Sequence, residues 1–187
     1  MSESSALLAF QAKCHEYYTC FALASSGMVH AVSSIQLDPV TYPNQKLFIG
    51  HSHPDEGPAQ SVMPAEKAVR ATQRDGEFQD VIGKALITLL YAEWDEYYRH
   101  QMASEFGVSA KDVASDLMGD LRLVRHWVVH CKSVVQSNVK KIKVLPWALH
   151  AGDRMHITSG MFRQLADCFN SMQVQILNVP GAGDDAT

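Results

Sequence analysis

Between Asp116 and Lys132 the chain reads DLMGDLRLVRHWVVHCK. Leu117, Leu121, Val124, Val128, Cys131 and Val135 recur at steps of three and four, the spacing that lays one apolar stripe along an α-helix. At about 100° per residue, Leu123, Trp127 and Val134 widen that stripe on one side. Arg122, Arg125, His126, His130 and Ser133 fall on the other side. A helix patterned in this way must bury its stripe against other elements. Its two guanidiniums and two imidazoles are left on the face that the core does not use.

The rest of the chain supplies packing partners of the same kind. Ser4 or Ser5 can cap a first helix running to about Ser34, because Leu7, Phe10, Cys14, Tyr17, Phe21, Ala24, Met28, Ala31 and Ile35 step by three and four. Gly27 weakens its middle. A stripe of this length suits a core helix, or a seam against a helix of the same chain or of a second copy. A second long helix is expected from Phe78 or Asp80 to about Phe106, with Ile82, Leu86, Leu89, Glu93 and Tyr97 along one face and Leu90 and Trp94 beside them. Gly107 ends it as a C-cap. Ser109, with Asp112 three residues on, resembles a capping box that opens the central helix. So short a connection makes the two helices antiparallel neighbours.

Two stretches break the helical pattern. Pro39, Pro43, Pro54, Pro58 and Pro64 exclude long helices between Leu37 and Gly76. There Lys46–Ile49 fits a short strand or an extended loop, and Ala65–Arg74 a short helix. Beyond Val139, Ile142–Leu145, a turn at Ala151–Asp153 and Met155–Thr158 suggest a small hairpin or paired extended segments. Thr158 or Ser159 then caps a last helix from Met161 to about Met172, with Phe162, Leu165, Cys168 and Phe169 inward. Residues 181–187 read as a frayed polar tail. The expected fold is mainly α: a bundle on three long helices with a small hairpin or irregular insert and a short C-terminal helix. It forms one domain over residues 1–187, centred on 78–137.

The formal net charge of −4 argues against a dedicated non-specific nucleic-acid binder, which is usually basic. Local basic charge is nonetheless concentrated in Arg122, Arg125, Lys132, Lys140, Lys141 and Lys143, with only Asp120 opposing it nearby. The four cysteines, at 14, 20, 131 and 168, show no CxxC pair and read as reduced, buried residues. A signal peptide and an apolar run of about 20 residues are both lacking. The protein is therefore expected to be soluble and cytoplasmic.

Three features carry chemistry. Arg125 is followed by four residues and then His130, with the polar His126 directly after the arginine. Glu93 stands as a carboxylate within an apolar stripe. It either reaches water through a slight rotation of its helix or pairs with Arg122 or Arg125 of the central helix. His51-Ser52-His53-Pro54-Asp55-Glu56 is metal-friendly, since His51 and His53 fall on one side of an extended chain. No further ligand pair follows at a characteristic spacing, so a polar loop is the first reading and a metal site the second.

The Arg125–His130 pattern, on a periodic helix late in a small helical chain and after a long helix with aromatics and carboxylates, resembles the signature of the HEPN family. These are small all-α domains, many of them metal-independent endoribonucleases of toxin–antitoxin or defence systems. The resemblance covers residues 80–137 best, and family members often end in a Gly-Asp turn and a last helix, as here. It implies a homodimer whose active site forms where two subunits pair, with Arg125 on phosphate, His130 as general base or acid and His126 assisting. Glu93 and Arg122 would support them. No cofactor is implied. RNA is the expected partner, together with a regulatory protein such as an antitoxin. Some family toxins carry a tyrosine two residues after the motif histidine, which a partner modifies to silence them. Lys132 stands at that position, so this control is not expected here. Other members have lost catalysis and serve as nucleotide-binding or dimerising modules, which is the rival reading. A structural role in a larger complex is a third.

The residue types suit RNA cleavage on chemical grounds. RNA carries its own nucleophile, the 2′-hydroxyl. Breaking the chain needs a base for that proton, an acid for the leaving 5′-oxygen, and positive charge on the phosphorane. Histidine titrates near neutral pH, and the planar fork of arginine holds two phosphate oxygens. His126 and His130, four residues apart on a helix, are neighbours. Cys131 points about 100° away, into the apolar stripe. No glycine-rich phosphate loop is present.

Overall fold

The computed structural model describes residues 4–35, 37–38, 40–50 and 57–177, and is mainly helical. Helix α1, Ser5–Ser34, begins where the Ser4 hydroxyl accepts from the Leu7 amide. Glu105, from the far end of the second long helix, accepts from Ser4 Oγ at 2.6 Å, from Ser5 Oγ and from the Ala6 amide, so the start of α1 is tied down. The periodic stripe continues to Ile35, but burial stops after Phe21. Leu23, Val29 and Ile35 are exposed.

An antiparallel hairpin of β1, Lys46–Ile49, and β2, Ser61–Pro64, leads into the short helix α2, Ala65–Thr72. The second long helix is one continuous rod in three parts. Helix α3, Glu77–Glu93, passes into a π-turn, Trp94–Tyr98, and on into α4, Arg99–Phe106. Gly107 ends the rod in the left-handed conformation, at φ +66°, as its position predicts.

The link to the central helix differs from expectation. Ser109 opens only a single 3₁₀ turn, Ala110–Asp112, and strand β3, Val113–Ala114, follows. Val113 and Ala114 pair with Ile176 and Gln175 of strand β4, Gln175–Ile176, so tertiary pairing overrides the local capping signal. Helix α5, Asp116–His130, starts from an extended Ser115. It also stops earlier than the apolar stripe suggests. Lys132 and Ser133 take left-handed φ values of 51° and 64°, and the Ser133 amide donates back to Trp127 O at 2.9 Å. Val134 and Val135 therefore lie beyond the helix.

The expected pairing of Ile142–Leu145 with Met155–Thr158 is not the one formed. Val134 bridges Arg154, flanked by Met155 N to Ser133 O at 2.8 Å and Val135 N to Asp153 O at 2.9 Å. The amides of Lys143, Val144 and Leu145 are taken instead by the buried Asp120 carboxylate, at 2.8–3.1 Å. Helix α6, Ser159–Asn170, is capped by Thr158.

The core lies between α1, α3, α5 and α6. Phe10 packs on Trp94, Tyr98 and Phe169, Phe21 stacks on Phe162 at 4.1 Å, and α5 buries Leu117, Leu121, Val124 and Trp127. Trp127 Nε1 donates to Asn138 Oδ1 and ties α5 to the 3₁₀ turn Ser137–Lys141. Among the described residues, no helix is long and apolar enough to cross a membrane. All four cysteines are free; Cys14 is buried, whereas Cys20 is exposed.

Candidate functional site

Because α5 buries its apolar stripe, its other face is turned outward as the spacing predicts. Arg122, His126, Val129 and His130 are exposed, and Arg125 is partly buried beside them. The rings of His126 and His130 are neighbours, with centroids 5.1 Å apart and planes tilted by 39°. At that separation one substrate phosphate can meet both imidazoles.

Arg125 leans toward the preceding rod. Its Cζ lies 5.4 Å from the centre of the Tyr91 ring, a cation–π placement. Its Nε is buried and has no hydrogen-bond partner among the described residues. An unmet buried donor of this kind is costly, and an oxygen that reached it would satisfy it. Tyr91 itself has its phenol pushed upward, first by burial and then by the charge of Asp95, against the opposing effect of Arg122, Arg99 and Arg125. Nothing in the sequence singled out Tyr91. Its only signal is an aromatic two residues before Glu93, on the opposite side of α3. Val129 was also missed: a valine exposed between two histidines breaks the polar pattern of that face, and this is the signal that could have found it.

Glu93 does not pair with either arginine. It accepts a 2.6 Å hydrogen bond from Tyr17 Oη, so it ties α3 to α1. Tyr91, not Glu93, faces α5, because residues two apart on a helix point in nearly opposite directions. Glu93 and Tyr17 are both only partly buried, so the carboxylate keeps some contact with water beside this hydrogen bond. Arg122 lies one turn before Arg125 and lines two cavities, of about 330 and 240 Å³, the second with Lys141 and Lys143. Asp120 does not oppose this basic charge at the surface, since it is buried with backbone amides.

His51 and His53 lie outside the described residues. Among the described residues, no three His, Cys, Asp or Glu side chains converge as metal ligands would. The candidate site is a band on one helix with two adjoining imidazoles and two guanidiniums. No family model matches the chain, and neither does any curated protein or solved structure.

Proposed function

We propose that the protein is a metal-independent endoribonuclease that cleaves single-stranded RNA by attack of the 2′-hydroxyl, in the manner of the HEPN toxins and defence proteins whose motif it resembles. One observation carries this reading. Two exposed imidazoles 5.1 Å apart, one from the residue directly after Arg125 and one from five residues on, share a helix with a guanidinium whose buried Nε has no partner among the described residues. Arg125 would hold a phosphate oxygen and stabilise the phosphorane, His130 would take or return a proton, and His126 would assist. Arg122 adds positive charge along the same face.

The band is convex, and two copies facing each other would make a cleft from it. Val129, exposed beside both histidines, gives such a pairing an apolar centre. The reading therefore includes a homodimer with α5 near the two-fold axis.

A second reading is a non-catalytic nucleotide- or RNA-binding module. The openness of the His126–His130 pair to solvent favours it, because proton transfer profits from enclosure. Incubating the purified protein with total RNA in EDTA, beside an Arg125→Ala/His130→Ala double variant, separates the two. Cleavage by the wild type alone supports the enzyme. Equal inertness with retained RNA binding supports the module.

A further inference from the structure

The cavity of about 330 Å³ beside the first two turns of α5 has a different character from the histidine band. It is lined by Tyr91, Trp94, Arg99, Ser115, Met118 and Arg122, among others. Ser115 occupies the N-cap position of α5, yet its hydroxyl does not cap the helix. The residue is 9% exposed, and its Oγ is buried without a hydrogen-bond partner. The first-turn amides of α5 have no acceptor within the helix, and the helix dipole places partial positive charge at that end. An unpartnered hydroxyl, the positive end of the helix dipole and an exposed guanidinium thus meet at one hollow.

The surrounding charges agree. Arg99 is held in place by Val113 O at 2.9 Å, Lys111 O at 3.3 Å and Asp95 at 3.2 Å. Asp116 in the first turn would repel an anion, but its carboxylate is engaged by Lys143 Nζ at 2.6 Å. The adjoining cavity, on the other side of Arg122, carries Lys141 and Lys143. Gly119 lines both cavities, and a Cβ there would meet nothing within 4 Å. Tyr91 joins this hollow to Arg125, whose guanidinium stands over the same ring.

We propose that this cavity is a phosphate subsite, in which Ser115 Oγ, the first-turn amides of α5 and Arg122 receive the phosphate of a nucleotide or of an RNA chain. Phosphate at a helix N-terminus with a serine and an arginine is a favourable combination of donors. The RNA arm rests on the proposed function; the binding of phosphate itself does not. A phosphate held at Ser115 would lie nearly three helical turns, roughly 15 Å, from Arg125 along α5.

Calorimetric titration of the full chain at low salt with orthophosphate, adenosine 5′-monophosphate and a short single-stranded RNA tests this. Wild type is expected to bind at least one of the three. Ser115→Ala is expected to weaken that binding severalfold and Arg122→Gln about tenfold. Gly119→Glu, which places a carboxylate in open space without disturbing packing, is expected to abolish it with an unchanged circular-dichroism spectrum. Binding of orthophosphate or the mononucleotide without RNA assigns the subsite to a free nucleotide, and binding of RNA assigns it to the chain. Absence of binding by all three probes overturns the proposal, and so does binding that all three variants leave intact. A wild type that binds orthophosphate or the mononucleotide through Ser115 and Arg122 but cleaves no RNA contradicts the ribonuclease and not the subsite.

Discussion

The guanidinium of Arg125 lies over the ring of Tyr91, 5.4 Å from Cζ to centroid, and this contact between α3 and α5 orients an arginine whose buried Nε has no partner among the described residues. A cation–π contact of this kind contributes about 0.5–2 kcal/mol. Tyr91→Leu is therefore expected to lower RNA cleavage about tenfold, equivalent to roughly 1.4 kcal/mol of barrier. Tyr91→Phe keeps the ring and is expected to retain activity. Equal losses in both variants would show that the hydroxyl, not the π face, matters.

Tyr17 and Glu93 make a pH-dependent tie between α1 and α3. Burial first, and then the hydrogen bond to Glu93, push the Tyr17 phenol up to about 12 from 10.0. The fold thus favours the neutral phenol. Its contribution is fully present below pH 10 and is lost as pH rises through about 12. Wild type is expected to lose stability across that window more steeply than Tyr17→Phe, as read by chemical denaturation at each pH. The part of the phenolate absorbance that Tyr17→Phe removes is expected to appear at higher pH than that of a free tyrosine. Glu93→Ala is expected to lower the melting temperature more than it lowers cleavage per folded molecule.

Asp120 holds the 143–145 segment on α5 through four contacts to three amides, while itself 1% exposed. Removing the carboxylate strands those amides, at about 1–3 kcal/mol for each that stays buried. Asp120→Ala is expected to destabilise by about 3 kcal/mol or more, whereas Asp116→Ala, which removes only an exposed ion pair with Lys143, is expected to cost about 0–1 kcal/mol.

Directly after His130 the backbone turns through Lys132 at φ 51°. A left-handed L-residue costs about 1–2 kcal/mol, partly offset in glycine by its own chain entropy. Lys132→Gly is expected to raise the melting temperature by about 2–4 °C per kcal/mol gained, and Lys132→Val to lower it. A fall with glycine would show that the lysine side chain contributes a contact of its own.

The helices were legible from their apolar period, which burial follows along α5 and along α1 as far as Phe21. The stripes of α1 and α5 and the cap at Gly107 describe the same elements in sequence and in space. What was not legible depended on distant partners. Ser109 looks like a helix start, but β4 captures the residues after it as a strand. Val134 and Val135 extend the stripe of α5 in period, but the left-handed pair Lys132–Ser133 had already ended the helix without a glycine to announce it. Ile142–Leu145 looks like a strand, but Asp120 takes its amides. At the site, the outward face of α5 and the nearness of His126 and His130 followed from helical geometry alone. The partner of Glu93 did not, because facing across helices depends on rotation that periodicity leaves open by tens of degrees. Tyr91 and Ser115 were invisible for the same reason.

The chemical nature of the ends left on cleaved RNA distinguishes 2′-hydroxyl attack from every other route. Single-stranded RNA is incubated with the wild-type protein in EDTA, and the 5′-side products are analysed by mass spectrometry beside those from His130→Ala. Wild type is expected to leave 2′,3′-cyclic phosphate ends and His130→Ala almost none, with a melting temperature for the variant within about 2 °C of wild type because an exposed polar side chain contributes little to folding. Products ending in 3′-hydroxyls, or cleavage that appears only with a divalent ion, would contradict attack by the 2′-hydroxyl on the Arg125–His130 face.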